Sequence, residues 1–273
     1  MNLDPLSVRR SLTKKTKAII PVHFAGRICK IREIIKISKQ NDLKVIEDCA
    51  HALGSKIGKK HVGTFGDVGC FSFYPTKNFT TIEGGMIITN SKQISNYTKS
   101  VRNHGITRSL DSRFSSGKPW EYDIKESGFN FRLDEIRSAL GLSQMKRLDK
   151  FNDLRKKASE YYTSQLTDVK GIITPKISKN NENSFHLYII RITKDFPLTR
   201  DVLFKKLLNN GIRTSVHYKP LNQFTLFKKM AKSYDKLEIS NMLYDEILSL
   251  PMYPTIQKSD QNYVIKNIKN GII

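Results

Sequence analysis

A chain of 273 residues with 38% hydrophobic and 26% charged residues is long enough to bury one large core or two modest ones without covalent staples. Three cysteines, Cys29, Cys49 and Cys70, form an odd set without metal-ligand spacing, which argues against a disulfide framework and for a reducing, cytoplasmic setting. The formal net charge of +22 raises nucleic acid as a partner, but the basic residues are scattered, with no zinc-finger spacing, aromatic stripe or Arg-rich arm, so none is expected.

Residues 1–17 lack the apolar segment of an export signal, and no later run approaches the roughly 18 apolar residues of a membrane span, so neither is expected. Residues 17–24, K-A-I-I-P-V-H-F, read as a buried strand ending in a turn at Gly26. Over 28–40, Ile28, Ile31, Ile34, Ile35 and Ile37 mark roughly one helical face, and K-V-I-E-D-C-A-H at 44–51 is another strand. Strand, helix, strand is a βαβ unit and predicts a parallel sheet. Asp48 then falls at a strand's carboxyl end, where open α/β sheets place ligands.

After a Gly- and Lys-rich connection, residues 67–90 read as strand, exposed lysine loop, strand, with Lys77 in a Pro-marked turn and Gly84-Gly85 before the second apolar run. A short helix is predicted over 91–101 and a surface loop over 106–118. Asp134 opens a helical pattern whose apolar positions Ile136, Leu140, Leu142, Met145 and Leu148 predict one buried face, and a second helical stretch runs to about Leu166. This places a boundary between a large domain, 1–148, and a smaller C-terminal one, 149–273. Beyond it the pattern predicts a strand over 184–192, a helix over 200–210, a strand over 212–220, and a tail from 231 of helix, loop at 250–254, and helix.

Taken alone, Lys77 reads as a solvated turn residue, Asp48 as a helix cap and His51 as a core histidine satisfying one backbone group. Their company changes that reading. V-I-E-D-C-A-H, F-S-F-Y-P-T-K-N, E-G-G-M and G-F-N-F-R, in this order, resemble the sugar aminotransferases of the DegT/DnrJ/EryC1/StrS family, and A-I-I-P-V-H-F-A-G, R-N-H-G-I, F-H-L-Y-I-I-R, V-H-Y-K-P-L and L-S-L-P-M-Y-P extend the likeness over the whole chain. The resemblance implies the aspartate aminotransferase fold of pyridoxal 5'-phosphate (PLP) enzymes, here with an incomplete, mostly parallel central sheet and a smaller α+β domain.

It also implies roles. Lys77 would form the Schiff base with PLP and move the proton; Asp48 would pair with the pyridine nitrogen; His51 would lie near the ring; Ser72 would hydrogen-bond the phosphate; Asn130 would reach the cofactor of a partner subunit in a homodimer. The substrates implied are an amino-acid donor, with glutamate expected, and a nucleotide-linked keto sugar. His23, His104, His186 and His217 lie in matching segments, with substrate contact left open for each, and Ile82 stands where the family usually has Gly.

Family members generally carry on the order of a hundred further residues ahead of the segment matching 2–16, including a G-[ST]-x-A-L helix start whose N–H groups cradle the phosphate. That motif is absent here. Two expectations follow: an enzyme completed by a separate N-terminal polypeptide, or a fragment inactive alone that serves as a binding or structural relic. In either case the outer strands of the sheet are expected to show open edges.

Overall fold

Apolar segments punctuated by Pro, Gly and Lys become short strands and the periodic ones become helices in a computed structural model that describes residues 1–108, 110–115, 117–176, 181–230 and 237–271. α1 (Pro5–Ser11) begins where Asp4 accepts the Ser7 N–H and Pro5 takes the first helical position, a start signal that the sequence reading passed over. The strand predicted over 17–24 shortens to β1 (Ala18–Ile19), followed by an isolated bridge from Val22 to Asp48, because Pro21 has no N–H to continue the ladder. α2 (Ile31–Gln40) packs Ile31, Ile34 and Ile37 into a core shared with Val45 of β2 (Lys44–Asp48).

A small hairpin, β3 (Lys56–Ile57) and β4 (Lys60–His61), precedes β5 (Val68–Ser72) and β6 (Gly85–Ile88). The main sheet has the order β1-β2-β5-β6. β1 with β2 and β2 with β5 run parallel, as the βαβ reading requires, whereas β6 returns antiparallel to β5 after the lysine loop. The outer strand β6 exposes Met86 and Ile87, and on the opposite edge Ile20 and Val22, just past β1, are exposed.

α3 (Lys92–Val101) is capped by Ser91. The loop predicted over 106–118 contains a short helix, α4 (Leu110–Phe114), with 109 and 116 outside the described residues. α5 (Glu135–Met145) starts where Asp134 accepts the Arg137 N–H, and α6 (Leu148–Leu166) follows. The buried face predicted for α5 is a correction: Ile136 is 83% exposed, Leu142 71% and Met145 47%, and of the five positions only Leu148, the first residue of α6, is buried. The periodicity is present, but no element among the described residues covers that stripe.

β7 (Ile172–Ile173), β8 (Asn181–Glu182), β9 (Tyr188–Ile192), α7 (Arg200–Asn209), α8 (Thr225–Met230), α9 (Glu238–Glu246), β10 (Ile247–Leu250) and α10 (Lys258–Lys269) complete the chain. An antiparallel sheet, β10-β9-β7, buries Tyr188, Ile190 and Leu248 against Tyr162 and Leu166 of α6, Leu203 and Leu207 of α7, and Ile268 of α10. β8 instead pairs with β3 beside the main sheet.

Three predicted segments differ. The strand over 184–192 starts only at Tyr188, because Phe185 takes a left-handed φ of 48° and turns residues 183–186 into the interior. The segment 212–220 is irregular and makes a single bridge, Ser215 to Ser249. The stretch before Pro251 forms β10, since its partner β9 is remote in sequence and leaves no local signal. The tail helix begins at Glu238, with 231–236 outside the described residues. Among the described residues no helix is long and apolar enough to cross a membrane.

Candidate active site

β2 sends two consecutive carboxylates in opposite directions, as successive strand side chains must. Glu47 is fully buried and accepts hydrogen bonds from His23 Nε2 (2.9 Å) and from the N–H groups of Gly63 (2.8 Å), Phe65 (2.7 Å) and Gly66 (2.7 Å). Burial pushes its pKa up, but the bonds from His23, Gly66 and Gly63 outweigh that and leave it below the usual carboxylate value. His23 is committed on both nitrogens, accepting the Cys29 N–H at Nδ1 (3.3 Å). Cys49 Sγ lies within 4.8 Å of these ligand atoms, yet burial holds its thiol protonated, so His23, Glu47 and Cys49 form a closed structural cluster.

Asp48 faces the other way at the carboxyl end of β2, paired in register with Cys70 of β5. One of its oxygens accepts the Ala50 N–H (3.0 Å), and the other takes no hydrogen bond among the described residues. Ser72 closes β5, its Oγ accepting the Tyr74 N–H (3.4 Å). Lys77 follows in a turn closed by its own N–H to the Tyr74 carbonyl (3.0 Å) and is half-buried. Asn78 and Phe79, both buried, anchor the chain after it, with the Phe79 ring edge-on to Phe73 at 4.7 Å. At the loop's far end Ile82 adopts φ 70°, the left-handed region that a β-branched residue disfavours and a glycine accepts.

Burial lowers the Lys77 pKa, and the negative charge of Asp48 restores only part of that loss. A larger fraction of this amine is therefore unprotonated near neutrality than for an ordinary lysine. Three imidazoles share its surroundings. His51 is 9% exposed, accepts the Ala25 N–H at Nδ1 (3.3 Å) and faces the Tyr218 hydroxyl at 3.4 Å through Nε2. Burial first, then Lys77 and His217, bring its pKa down to about 4. The His186 ring lies 4.4 Å from that of His51, and burial, then His51 and Lys77, lower its pKa to about 2. His217, bonded through Nδ1 to Ser249 Oγ (2.8 Å), is lowered by burial and by Lys77. The group therefore holds one amine, one carboxylate and three neutral imidazoles, a set suited to attack on a carbonyl carbon and to proton transfer at a single nitrogen.

Of the residues singled out by sequence, Asp48, His51 and Lys77 come together, and Ser72 ends the strand beside Asp48. Asn130 stands apart: it is exposed, its Oδ1 accepts from Arg132 Nε (3.0 Å), and it bridges Asn103. His104 is also exposed, its N–H bonded to the Phe129 carbonyl, and His23 belongs to the Glu47 cluster. Sequence reading missed Tyr218, hidden in a segment taken for a strand, and Asn78, which carries no periodic signal.

Compared with known proteins, the chain matches the model of the DegT/DnrJ/EryC1/StrS aminotransferase family over residues 1–269. It is 31% identical to the spore coat polysaccharide biosynthesis protein SpsC of Bacillus subtilis, over 99% of this chain and 70% of that protein. It is 32% identical to the UDP-4-amino-4,6-dideoxy-N-acetyl-beta-L-altrosamine transaminase of Campylobacter jejuni, over 96% of this chain and 68% of that one. Among solved structures, Helicobacter pylori PseC, an aminotransferase involved in the biosynthesis of pseudoaminic acid, superposes with a TM-score of 0.90 at 29% identity, covering 99% of this chain and 71% of its own.

Proposed function

This chain belongs to the DegT/DnrJ/EryC1/StrS aminotransferase family, PLP-dependent enzymes of fold type I, and from that premise we propose that it moves an amino group from an amino acid, with glutamate as the expected donor, onto a keto sugar carried by a nucleotide. The observation that carries the reading is the meeting of a half-buried amine of lowered pKa, Lys77, with Asp48 and His51 at the carboxyl ends of two parallel strands.

The donor set fits PLP. A free amine suits its aldehyde, the uncommitted oxygen of Asp48 its pyridine nitrogen, the His51 ring its aromatic face, and the Ser72 hydroxyl its phosphate. When bound, PLP supplies an electron sink for the carbon that gains or loses the amine. The chain supplies the rest. Lys77 Nζ would hold the cofactor and, once freed by the incoming amine, would take the proton from the donor carbon that loses the amine and later give one to the sugar carbon that gains it, while the neutral imidazoles do not add charge that would oppose its protonation.

In this reading residues 1–148 hold the cofactor and 149–273 form the smaller domain, a division supported by the separate cores under the two sheets. The partner is a second copy of the chain. Support comes from the apolar stripe of α5 and the stacked, exposed rings of Phe129 and Phe131, which flank Asn130. A separate polypeptide completing the enzyme is the second reading, favoured by Met86 and Ile87 on the outer strand β6.

The test is borohydride reduction of the protein mixed with PLP, followed by peptide mass mapping. A cofactor mass on Lys77 that disappears in Lys77→Ala is expected; labelling of surface lysines alone, unchanged in that variant, overturns the reading. If the adduct forms only after a companion polypeptide is added, the second reading replaces the first. Formation of 2-oxoglutarate from glutamate then tests the donor, and sedimentation equilibrium tests the dimer, which a monomer carrying the Lys77 adduct would rule out.

A further inference from the structure

Asn78, the residue after Lys77, is held by groups that enter from outside the main sheet. Its Nδ2 donates to Asn152 Oδ1 (2.8 Å) on α6 and to the Ser184 carbonyl (2.5 Å) on the connector into β9. Asn152 has no choice of orientation, because its own Nδ2 donates to the Leu53 carbonyl (3.2 Å). Flipping the Asn78 amide would set its oxygen against two acceptors, so Oδ1 must point at His186 Nδ1, 3.1 Å away. A carboxamide oxygen has no proton to give, and Nδ1 of His186 is therefore the donor. Backbone carbonyls at Leu53 and Ser184 thus dictate the tautomer of a histidine.

His186 is itself immobilised. Its carbonyl accepts from Arg155 Nη1 (3.1 Å), a guanidinium that also holds the Met252 carbonyl (3.1 Å), and its side chain is 5% exposed. By contrast, among the described residues the Lys77 N–H bonds only locally, to the Tyr74 carbonyl. We propose that His186 and Asn78 are a positioning couple, in which the Nδ1–H of His186 locks the Asn78 amide and so fixes the main chain that presents the Lys77 amine to Asp48 and His51. The couple rests on Lys77 being the cofactor-binding lysine, and it assigns the small sheet a part in setting that lysine's reach. A lysine that must alternately bind the cofactor and carry protons needs its Cα held to a fraction of an ångström; a displacement of about 1 Å lowers such rates by roughly 100-fold.

The test uses the full chain, with His186→Phe, which keeps a ring and removes the donor, and His186→Asn, whose amide can present an N–H near the Nδ1 position. Competitive acetylation of Lys77 against pH is measured without cofactor, the groups facing its amine being Asp48, His51, His186 and His217. In His186→Phe the Lys77 midpoint is expected to rise toward that of an ordinary lysine as the amine leaves its partly desolvated seat, and PLP capture to slow roughly 100-fold. His186→Asn should restore the midpoint and most of the capture rate, although its thermal midpoint resembles that of His186→Phe. Should His186→Phe fail to fold, Asn152→Ala, which removes one acceptor of the same amide, is expected to move both readouts the same way by a smaller amount. Wild-type acetylation profiles in all variants, or losses in both His186 variants that simply follow their unfolding midpoints, overturn the couple. A Lys77 midpoint that shifts as expected in a protein that never acquires PLP on Lys77 overturns the proposed function and leaves the couple standing.

Discussion

Glu47 and Asp48 are adjacent on one strand and meet opposite fates. Glu47 is closed in by four donors and holds β2, His23 and the 63–66 turn together; Asp48 keeps one oxygen uncommitted and faces an amine. The difference lies in satisfaction rather than in residue type. A buried carboxylate whose acceptor sites are filled stabilises the fold, and one with spare valence beside a titratable amine is available for chemistry.

Asp48→Asn should sharpen the contrast most. The reaction with the amino donor is expected to slow about 1000-fold, equivalent to about 4 kcal/mol, while urea unfolding stays near wild type. The Lys77 midpoint should also fall further, because the Asp48 charge is what raises it. Rapid-mixing spectroscopy checks the first effect and competitive acetylation the second; an unchanged rate would remove Asp48 from the site. Glu47→Gln should show the reverse pattern, with a stability loss of about 3 kcal/mol by urea titration, since its amide would turn N–H groups toward donors.

Acid separates the two regions again. His51 has a folded pKa of about 4 against an ordinary 6.5, so the unfolded chain binds its proton first as pH falls. Its contribution is fully present above pH 6.5 and is lost as pH drops toward about 4. The shift corresponds to at most about 3 kcal/mol, and unfolding titrations at several pH values should show a shallower acid decline in His51→Gln. A slope identical to wild type would mean that His51 is not held neutral. The smallest effect belongs to the lysine loop: Ile82→Gly relieves a left-handed φ and is expected to stabilise by roughly 0.5 kcal/mol, read from the thermal midpoint.

Much of this was legible from local pattern. Asp4, Ser91 and Asp134 cap helices where small oxygen-bearing side chains precede periodic segments, two of them as anticipated. The βαβ reading placed Asp48 at the strand end, where Lys77 and His51 also gather. Other features had no local signature. β10 depends on β9, 55 residues away at the Arg191–Glu246 ion pair that abuts the pairing, and the α5 stripe is periodic yet uncovered, because periodicity states which side chains share a face and not what lies against it.

The sequence by itself determined the starts of α3 and α5 and the parallel half of the sheet, since each rests on spacing within a few residues or on one strand's alternation, whereas the roles of Lys77 and Asp48 were implied by the resemblance their motifs carry. Only the tertiary structure decided that Glu47 and Asp48 have different roles, that His23 is structural while His51, His186 and His217 surround Lys77, and that Asn78 is tied to Ser184 and His186, 106 and 108 residues away. Hydrogen-bond valence is filled by whatever the fold brings near, and that proximity is not encoded in the local run of residues around any of these side chains.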